Sequence, residues 1–309
     1  MIKKVRLGRT DLEVNPIGMG TNAVGGHNIY PNIDEEASFE MIRSGLENGL
    51  NFFDTAYYYG LGRSEEIIGQ VVKEAGKRAE TVIATKASYT FAGQEVVHNN
   101  DPAFLTLSVE ESLKRLQSDY IDLFYIHFPD KDTPKDEAVG ALKRLKDEGK
   151  IRAIGVSNFS LEQLKEANKD GHIDVYQGEY NLLNRSAEQE LFPYFRENNI
   201  SFIPYFPLAK GLLTGKYDRN SNLEGKRGKF FEKETFERAL KKVEKLKEIA
   251  EQKGADVAHV VLAWYLTRDV IDAIIPGAKR PEQVLNNLKT LEVNLSEEEI
   301  REIDLAFRQ

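Results

Sequence analysis

Ala138-Val-Gly-Ala-Leu-Lys-Arg-Leu-Lys-Asp-Glu-Gly-Lys-Ile-Arg-Ala-Ile-Gly-Val156 changes its period halfway along. Ala138, Leu142 and Leu145 stand at i, i+4 and i+7, the spacing of one face of an amphipathic helix. Gly149 follows, as suits the left-handed residue that ends a helix. Ala153-Ile-Gly-Val156 is then a short, near-continuous apolar run, which is how a strand buried on both faces reads. The stretch is one helix–strand unit, and the rest of the chain repeats it.

Toward the N-terminus, β-rich runs occur at Ile17-Gly-Met-Gly, Phe52-Phe-Asp-Thr, Val82-Ile-Ala-Thr and Ile121 to His127. Toward the C-terminus they occur at Val175-Tyr-Gln-Gly, Phe202-Ile-Pro-Tyr and Ala273-Ile-Ile-Pro, which makes eight in all. Helical spacing recurs between them, at Phe39, Ile42 and Leu46 and at Val109, Leu113 and Leu116. Capping boxes are expected at Ser160…Gln163, Ser186…Gln189 and Ser296…Glu299. A cap residue followed by an N1 proline is expected at Asp101-Pro102 and at Thr133-Pro134. Gly49, Gly76, Gly171 and Gly254 mark further helix ends.

Eight βα units close most naturally into a (β/α)8 TIM barrel, and 309 residues suit a barrel of ~250 residues with additions. We expect residues 1–309 to form a single barrel domain. The additions are a β-hairpin over Lys4–Leu7 and Leu12–Val14, helices at 233–253 and 256–267 between the seventh and eighth strands, and a C-terminal helix opened by Ser296. A doubly wound sheet is the competing architecture. Gly18-Met-Gly-Thr-Asn-Ala23 fits its G-x-G-x-x-A turn, but Gly25-Gly26 and Pro31 stand where the helix would have to run.

The formal net charge of -8 argues against a nucleic-acid partner, which requires a basic face. The absence of cysteine excludes disulfides, a thiolate nucleophile and a cysteine-ligated metal. The longest apolar stretches, Ile121–Phe128 and Ala258–Leu266, fall short of the ~20 residues of a membrane span. No apolar signal segment follows Met1, so a cytoplasmic location is expected.

Barrel enzymes carry their chemistry at the C-terminal ends of strands. Asp54 ends the second strand and Tyr59 lies in the loop after it; Lys86 ends the third and His127 the fourth. Taken singly, Asp54 could be a turn cap, Lys86 a solvated lysine, His127 a satisfied strand-end histidine, and Tyr59 one of three consecutive tyrosines. Packing does not explain four such groups at the ends of three adjacent apolar strands. A catalytic metal is not expected, because Lys86 between Asp54 and His127 would repel a cation.

Phe53-Asp-Thr-Ala-Tyr-Tyr-Tyr-Gly60 resembles the D-T-A-x-x-Y-G motif of the aldo-keto reductases. Asp54, Tyr59, Lys86 and His127 are similar in order and spacing to that superfamily's catalytic tetrad. Leu7-Gly-Arg-Thr10, Leu142–Asn158, Pro207–Lys216 and Ile275-Pro-Gly-Ala278 extend the resemblance over nearly the whole chain. The group it resembles is the bacterial reductases related to potassium-channel β subunits and those linked to inositol operons. The resemblance implies NADPH-dependent reduction of an aldehyde or ketone, reversible, with Tyr59 as proton donor. Lys86 is expected to lower the phenol's pKa from ~10, Asp54 to keep Lys86 charged, and His127 to orient the carbonyl.

The resemblance also implies an NADP(H) site. Ser157, Asn158 and Gln177 would hold the nicotinamide carboxamide, Tyr205 would stack on the ring, and Thr21 and Asp54 would lie beside the cofactor. Phe206, Pro207, Leu208, Gly211 and Lys216 would follow the pyrophosphate, with Phe206 where many relatives have serine. Gly277, Lys279, Arg280, Gln283 and Asn287 resemble the adenosine-phosphate site, and Arg227, in the basic stretch 216–231, is a further candidate contact. Tyr30, Phe91 and Phe128 are expected to line the substrate pocket, with Asn22, His27, His98 and Asn158 also in reach. The expected partner is a small carbonyl or alcohol, bound by a monomer. The alternative is an NADP(H)-binding regulatory or redox-sensing module with little turnover.

Overall fold

The computed structural model describes residues 3–92, 95–218, 221 and 233–308. In chain order the first elements are β1 (Val5–Arg6), β2 (Glu13–Val14), β3 (Met19–Gly20), α1 (Glu35–Glu47), β4 (Phe52–Asp54), α2 (Arg63–Glu74) and β5 (Val82–Ala87). Next come β6 (Tyr89–Ala92), β7 (Glu95–His98), α3 (Pro102–Leu116), β8 (Ile121–Ile126), α4 (Lys135–Asp147), β9 (Ile151–Ser157) and α5 (Leu161–Ala167). The chain continues with β10 (Val175–Glu179), α6 (Ala187–Glu190), α7 (Phe192–Asn198) and β11 (Ser201–Tyr205). It closes with α8 (Lys233–Lys253), α9 (Val257–Tyr265), α10 (Pro281–Leu288) and α11 (Glu297–Ala306).

A parallel sheet runs in the order β3-β4-β5-β8-β9-β10-β11. The eighth expected strand, at 273–276, joins it through parallel bridges Ile17–Ile274 and Gly20–Gly277. Ile274 N–H donates to the Pro16 carbonyl at 2.9 Å, and Gly18 N–H donates to the Ile274 carbonyl at 2.8 Å. On the far side Phe202 N–H donates to the Val270 carbonyl at 2.7 Å. Pro276 has no N–H to give, so this segment pairs by isolated bridges rather than as a regular strand. The result is the (β/α)8 barrel.

The strands alternate, and both of their faces are buried. Phe52, Ala84, Leu123, Tyr125, Ala153, Val175, Ile203 and Ala273 form an inner cluster. Phe53, Ile83, Phe124, Ile154, Tyr176 and Phe202 belong to an outer cluster between sheet and helices. Leu7, Leu12 and Val14 of the β1–β2 hairpin join the inner cluster, so the hairpin plugs the N-terminal end of the barrel. Carboxylates fasten that end. Asp122 accepts Ile83 N–H and pairs with Arg78 and Arg152. Asp174 accepts Ile154 N–H and pairs with Arg9 and Lys146, and Asp272 accepts Gly8 N–H. Continuing the inward alternation toward the other end gives Asp54, Lys86, His127, Ser157, Gln177 and Tyr205. The fold thus brings these six polar groups to inward positions at or near the C-terminal ends of their strands.

Local signals held at Asp101, Ser160 and Ser296, which cap α3, α5 and α11, the last two as full capping boxes. Gly149 has φ 77, with nothing within 4 Å of where a β-carbon would sit; its requirement is conformational alone. Two expected caps fail. Ser186 is itself helical at φ -57, so its hydroxyl cannot reach N3 and instead donates to Asn184 Oδ1 at 3.2 Å. Before α4 the cap position is Pro134, while the Thr133 hydroxyl is taken by Asp130 Oδ2 at 2.6 Å. The antiparallel hairpin β6–β7 was not expected. It is inserted directly after the strand that carries Lys86. Among the described residues no helix is long and apolar enough to cross a membrane.

Candidate active site

Burial forces the first pairing. Lys86 is 0% and Asp54 1% exposed, and neither could be charged there alone. Lys86 Nζ lies 2.5 Å from Asp54 Oδ1 and donates to the Thr55 carbonyl at 2.7 Å. Gln177 Nε2 donates to Asp54 Oδ2 at 2.9 Å, so both carboxylate oxygens are occupied. Desolvation pulls the lysine pKa down, and Asp54 opposes it.

Tyr59 leans over this pair, its ring centroid 5.4 Å from Lys86 Nζ. The His127 ring meets it edge-on, centroids 6.3 Å apart. Burial, followed by the charge of Lys86, holds the imidazole well below its usual range, so it is neutral. His127 Nδ1 is buried and has no hydrogen-bond partner among the described residues. The four residues expected to converge are therefore together at the C-terminal mouth.

One electrostatic expectation is corrected. Burial, then the Asp54 carboxylate, holds the Tyr59 phenol well above its ordinary value, so the expected net lowering by the Lys86 ammonium is outweighed. The Lys86 ammonium is hydrogen-bonded to Asp54 and the Thr55 carbonyl, and its attraction for the phenolate does not outweigh desolvation and the Asp54 charge.

The expected carboxamide contacts are engaged with one another. Asn158, left-handed at φ 64, donates through Nδ2 to the His127 carbonyl and to Ser157 Oγ, and accepts the Tyr205 hydroxyl at 2.7 Å. Thr21 is fully buried, its hydroxyl donated to the Asp54 carbonyl at 2.9 Å, which holds the end of β4 rather than facing the mouth. After β11, Phe206, Ala209 and Lys210 all have positive φ, a strained turn of the kind found where backbone must approach a ligand. Phe206 is exposed, and the Pro207 carbonyl accepts the Tyr265 hydroxyl, tying this turn to α9. Leu208 packs at the edge of the core. At Gly211 a β-carbon would come within 2.9 Å of Lys216 Nζ.

Across the mouth, Gly277 pairs with Gly20, Lys279 N–H donates to Gln283 Oε1 at 2.8 Å, and Arg280 is the N-cap of α10. Asn287 is half-buried one turn beyond Gln283. Lys279 Nζ lies over the Tyr30 ring at 4.3 Å. Among the described residues, Lys216, Lys279 and Arg280 form no ion pair with a carboxylate. Unpaired cations at a helix N-terminus suit a phosphorylated ligand. Arg227 lies outside the described residues.

Of the expected pocket residues, Phe128 stacks on His98 at 4.9 Å, Tyr30 accepts from Asn22 Nδ2 at 3.3 Å, and Phe91 is exposed on β6. His27 faces outward, paired with Glu35. The sequence reading missed Tyr58 and Tyr89, which stack at 4.2 Å; Tyr89 also meets His127 edge-on at 5.1 Å. Tyr89-Thr-Phe91 alternates as a strand does, and that was the available signal.

A closed parallel barrel with Asp54, Tyr59, Lys86 and His127 gathered at its C-terminal face has the layout of a (β/α)8 enzyme site. The chain belongs to the aldo/keto reductase family, whose sequence model matches residues 16–307. It is 39% identical over 280 residues to aldo-keto reductase YhdN of Bacillus subtilis, covering 89% of this chain and 84% of that one. It is 33% identical over 312 residues to an NADH-specific methylglyoxal reductase of Escherichia coli, covering 96% and 95%. The solved glycerol dehydrogenase AKR11B4 from Gluconobacter oxydans superposes with a TM-score of 0.88 at 33% identity, covering 98% of this chain and 94% of that one. The family is one of oxidoreductases that act on small carbonyl compounds with nicotinamide cofactors.

Proposed function

We propose that this single barrel reduces an aldehyde or ketone to an alcohol, reversibly, using NADPH, with Tyr59 as proton donor. The observation that carries the reading is the buried Asp54–Lys86 pair set beneath a phenol and a neutral imidazole at one mouth. When bound, the reduced nicotinamide supplies a hydride to the carbonyl carbon and is itself oxidised. Tyr205, Ser157, Asn158 and Gln177 would hold its ring end, and Lys216, Lys279 and Arg280 its phosphates.

The chain's own groups then handle the proton. His127, being neutral, donates one N–H to the carbonyl oxygen and fixes its direction. The raised pKa keeps the Tyr59 proton in place until the oxygen gains charge. An alkoxide is a stronger base than a phenolate, so transfer from Tyr59 Oη is then downhill. Lys86 stabilises the phenolate left behind, Asp54 holds Lys86 in position, and solvent restores the proton. In the reverse direction the phenolate is the base.

Lys279 and Arg280 at the N-terminus of α10 favour the 2′-phosphate of NADP over the ribose of NAD. The test is fluorescence titration with NADPH and NADH, combined with turnover of 4-nitrobenzaldehyde. Tighter binding of NADPH is expected. Tyr59→Phe should keep nucleotide binding and lose at least ~100-fold in kcat. Equal affinity for NADH would remove the NADP assignment, and unchanged turnover of the variant would remove Tyr59.

A further inference from the structure

The hairpin β6–β7 leaves the barrel directly after Lys86 and returns beside His127. Its register pairs Tyr89 with His98 and Phe91 with Val96. Residues directly opposite, and those two apart along a strand, share one face. Tyr89, His98, Phe91 and Val96 therefore form one continuous face.

The inner half of that face belongs to the site. Tyr89 meets His127, His98 and Phe128 edge-on at 5.1, 4.9 and 5.7 Å, and Tyr58 stacks on its other side. Burial lowers the His98 pKa and raises that of Tyr89 to about 12, so neither of these two rings is charged at neutral pH. The outer half continues the surface into solvent. Phe91 is 50% and Val96 47% exposed, in register with each other and about 7 Å further along the strands. A cross-strand apolar pair about half in water adds little to the hairpin and leaves apolar surface uncovered. It is in line with the catalytic imidazole, and the face carries no charged side chain; Glu95 lies on the opposite face.

We propose that this face is a track for the apolar part of the substrate, so that the preferred substrates are aldehydes or ketones bearing an aromatic ring or a long alkyl chain. The assignment rests on the carbonyl-reductase reading above and narrows it. A polyhydroxylated carbonyl finds no hydrogen-bond partner in the side chains of Phe128, Phe91 and Val96, whereas each methylene laid on them leaves water.

The experiment is steady-state kcat/KM for the straight-chain aldehydes from propanal to decanal, with glyceraldehyde for comparison. For the wild type we expect a rise of about two- to four-fold per methylene until the track is filled, with glyceraldehyde well below butanal. In Phe91→Ser/Val96→Ser, whose replaced side chains already face water, the octanal-to-propanal ratio should collapse toward unity, mainly through KM. Leu107→Ser, an exposed apolar position on α3, should keep the wild-type ratio. A ratio near one in the wild type, or an unchanged ratio in the hairpin variant, overturns the track alone. Absence of turnover with every aldehyde, propanal included, sinks the reductase reading and the track together.

Discussion

Lys86 and His127 show how one buried site sets opposite electrical states on neighbouring groups. The lysine keeps a carboxylate at 2.5 Å, whereas the imidazole has only a neighbouring cation and stays neutral. The sign of the consequence is fixed. The folded pKa of His127 lies below the unfolded value of about 6.5, so between the two the unfolded chain binds the proton and the folded one does not. Stability therefore falls as pH drops below about 6.5, and His127 adds nothing to the pH dependence above it. Melting temperatures measured from pH 7 down to 5 should fall more steeply for the wild type than for His127→Gln; parallel curves would contradict a neutral buried imidazole. Asp54, Lys86 and His127 were legible in the sequence because they end apolar strands, and Tyr59 because it stands five residues after Asp54 and directly before Gly60 in the D-T-A-x-x-Y-G pattern. The state of Tyr59 was not: it depends on how far Asp54 cancels Lys86, which is a matter of ångströms.

Caps and turns divide at the scale of the element. Ser296 and Ser186 carry the same S-x-x-E/Q signature, yet only Ser296 has the extended backbone that lets its hydroxyl reach N3. Ser296→Ala should cost about 1 kcal/mol, and Ser186→Ala under about 0.5 kcal/mol, read as urea midpoints at constant slope. Similar losses at both positions would show that the signature alone decides. The hairpin β6–β7 escaped the sequence reading because it falls between a strand and a helix already assigned, and because four residues of alternation on each side are a weak periodic signal. It nevertheless brings Tyr89 and His98 to the mouth.

The barrel as a whole separates stability from chemistry by its two ends. Asp174 accepts a strand N–H and binds Arg9 and Lys146 at the plugged end, with only 5% of its side chain exposed. Asp174→Ala removes the common partner. We expect a loss at the low end of about 3–5 kcal/mol, because Arg9 and Lys146 keep about a third of their side chains in water. Denaturant unfolding should show that loss, while kcat per folded molecule stays within about two-fold of the wild type, since the site lies at the opposite end. A large fall in kcat would mean that the plug and the mouth are coupled.

The alternation of strands and helices, the closed architecture and the polar residues that end the second, third and fourth strands followed from the sequence alone, and Tyr59 from its place in the motif after Asp54. Periodicity and end residues are local properties, and a run of eight βα units has few ways to bury both faces of its strands. Which serine caps a helix, which way the Tyr59 pKa moves and which aromatics stand beside His127 were decided only in three dimensions. Each depends on distances between groups far apart in the chain, such as the 123 positions separating Asp54 from Gln177, and no local pattern encodes such distances.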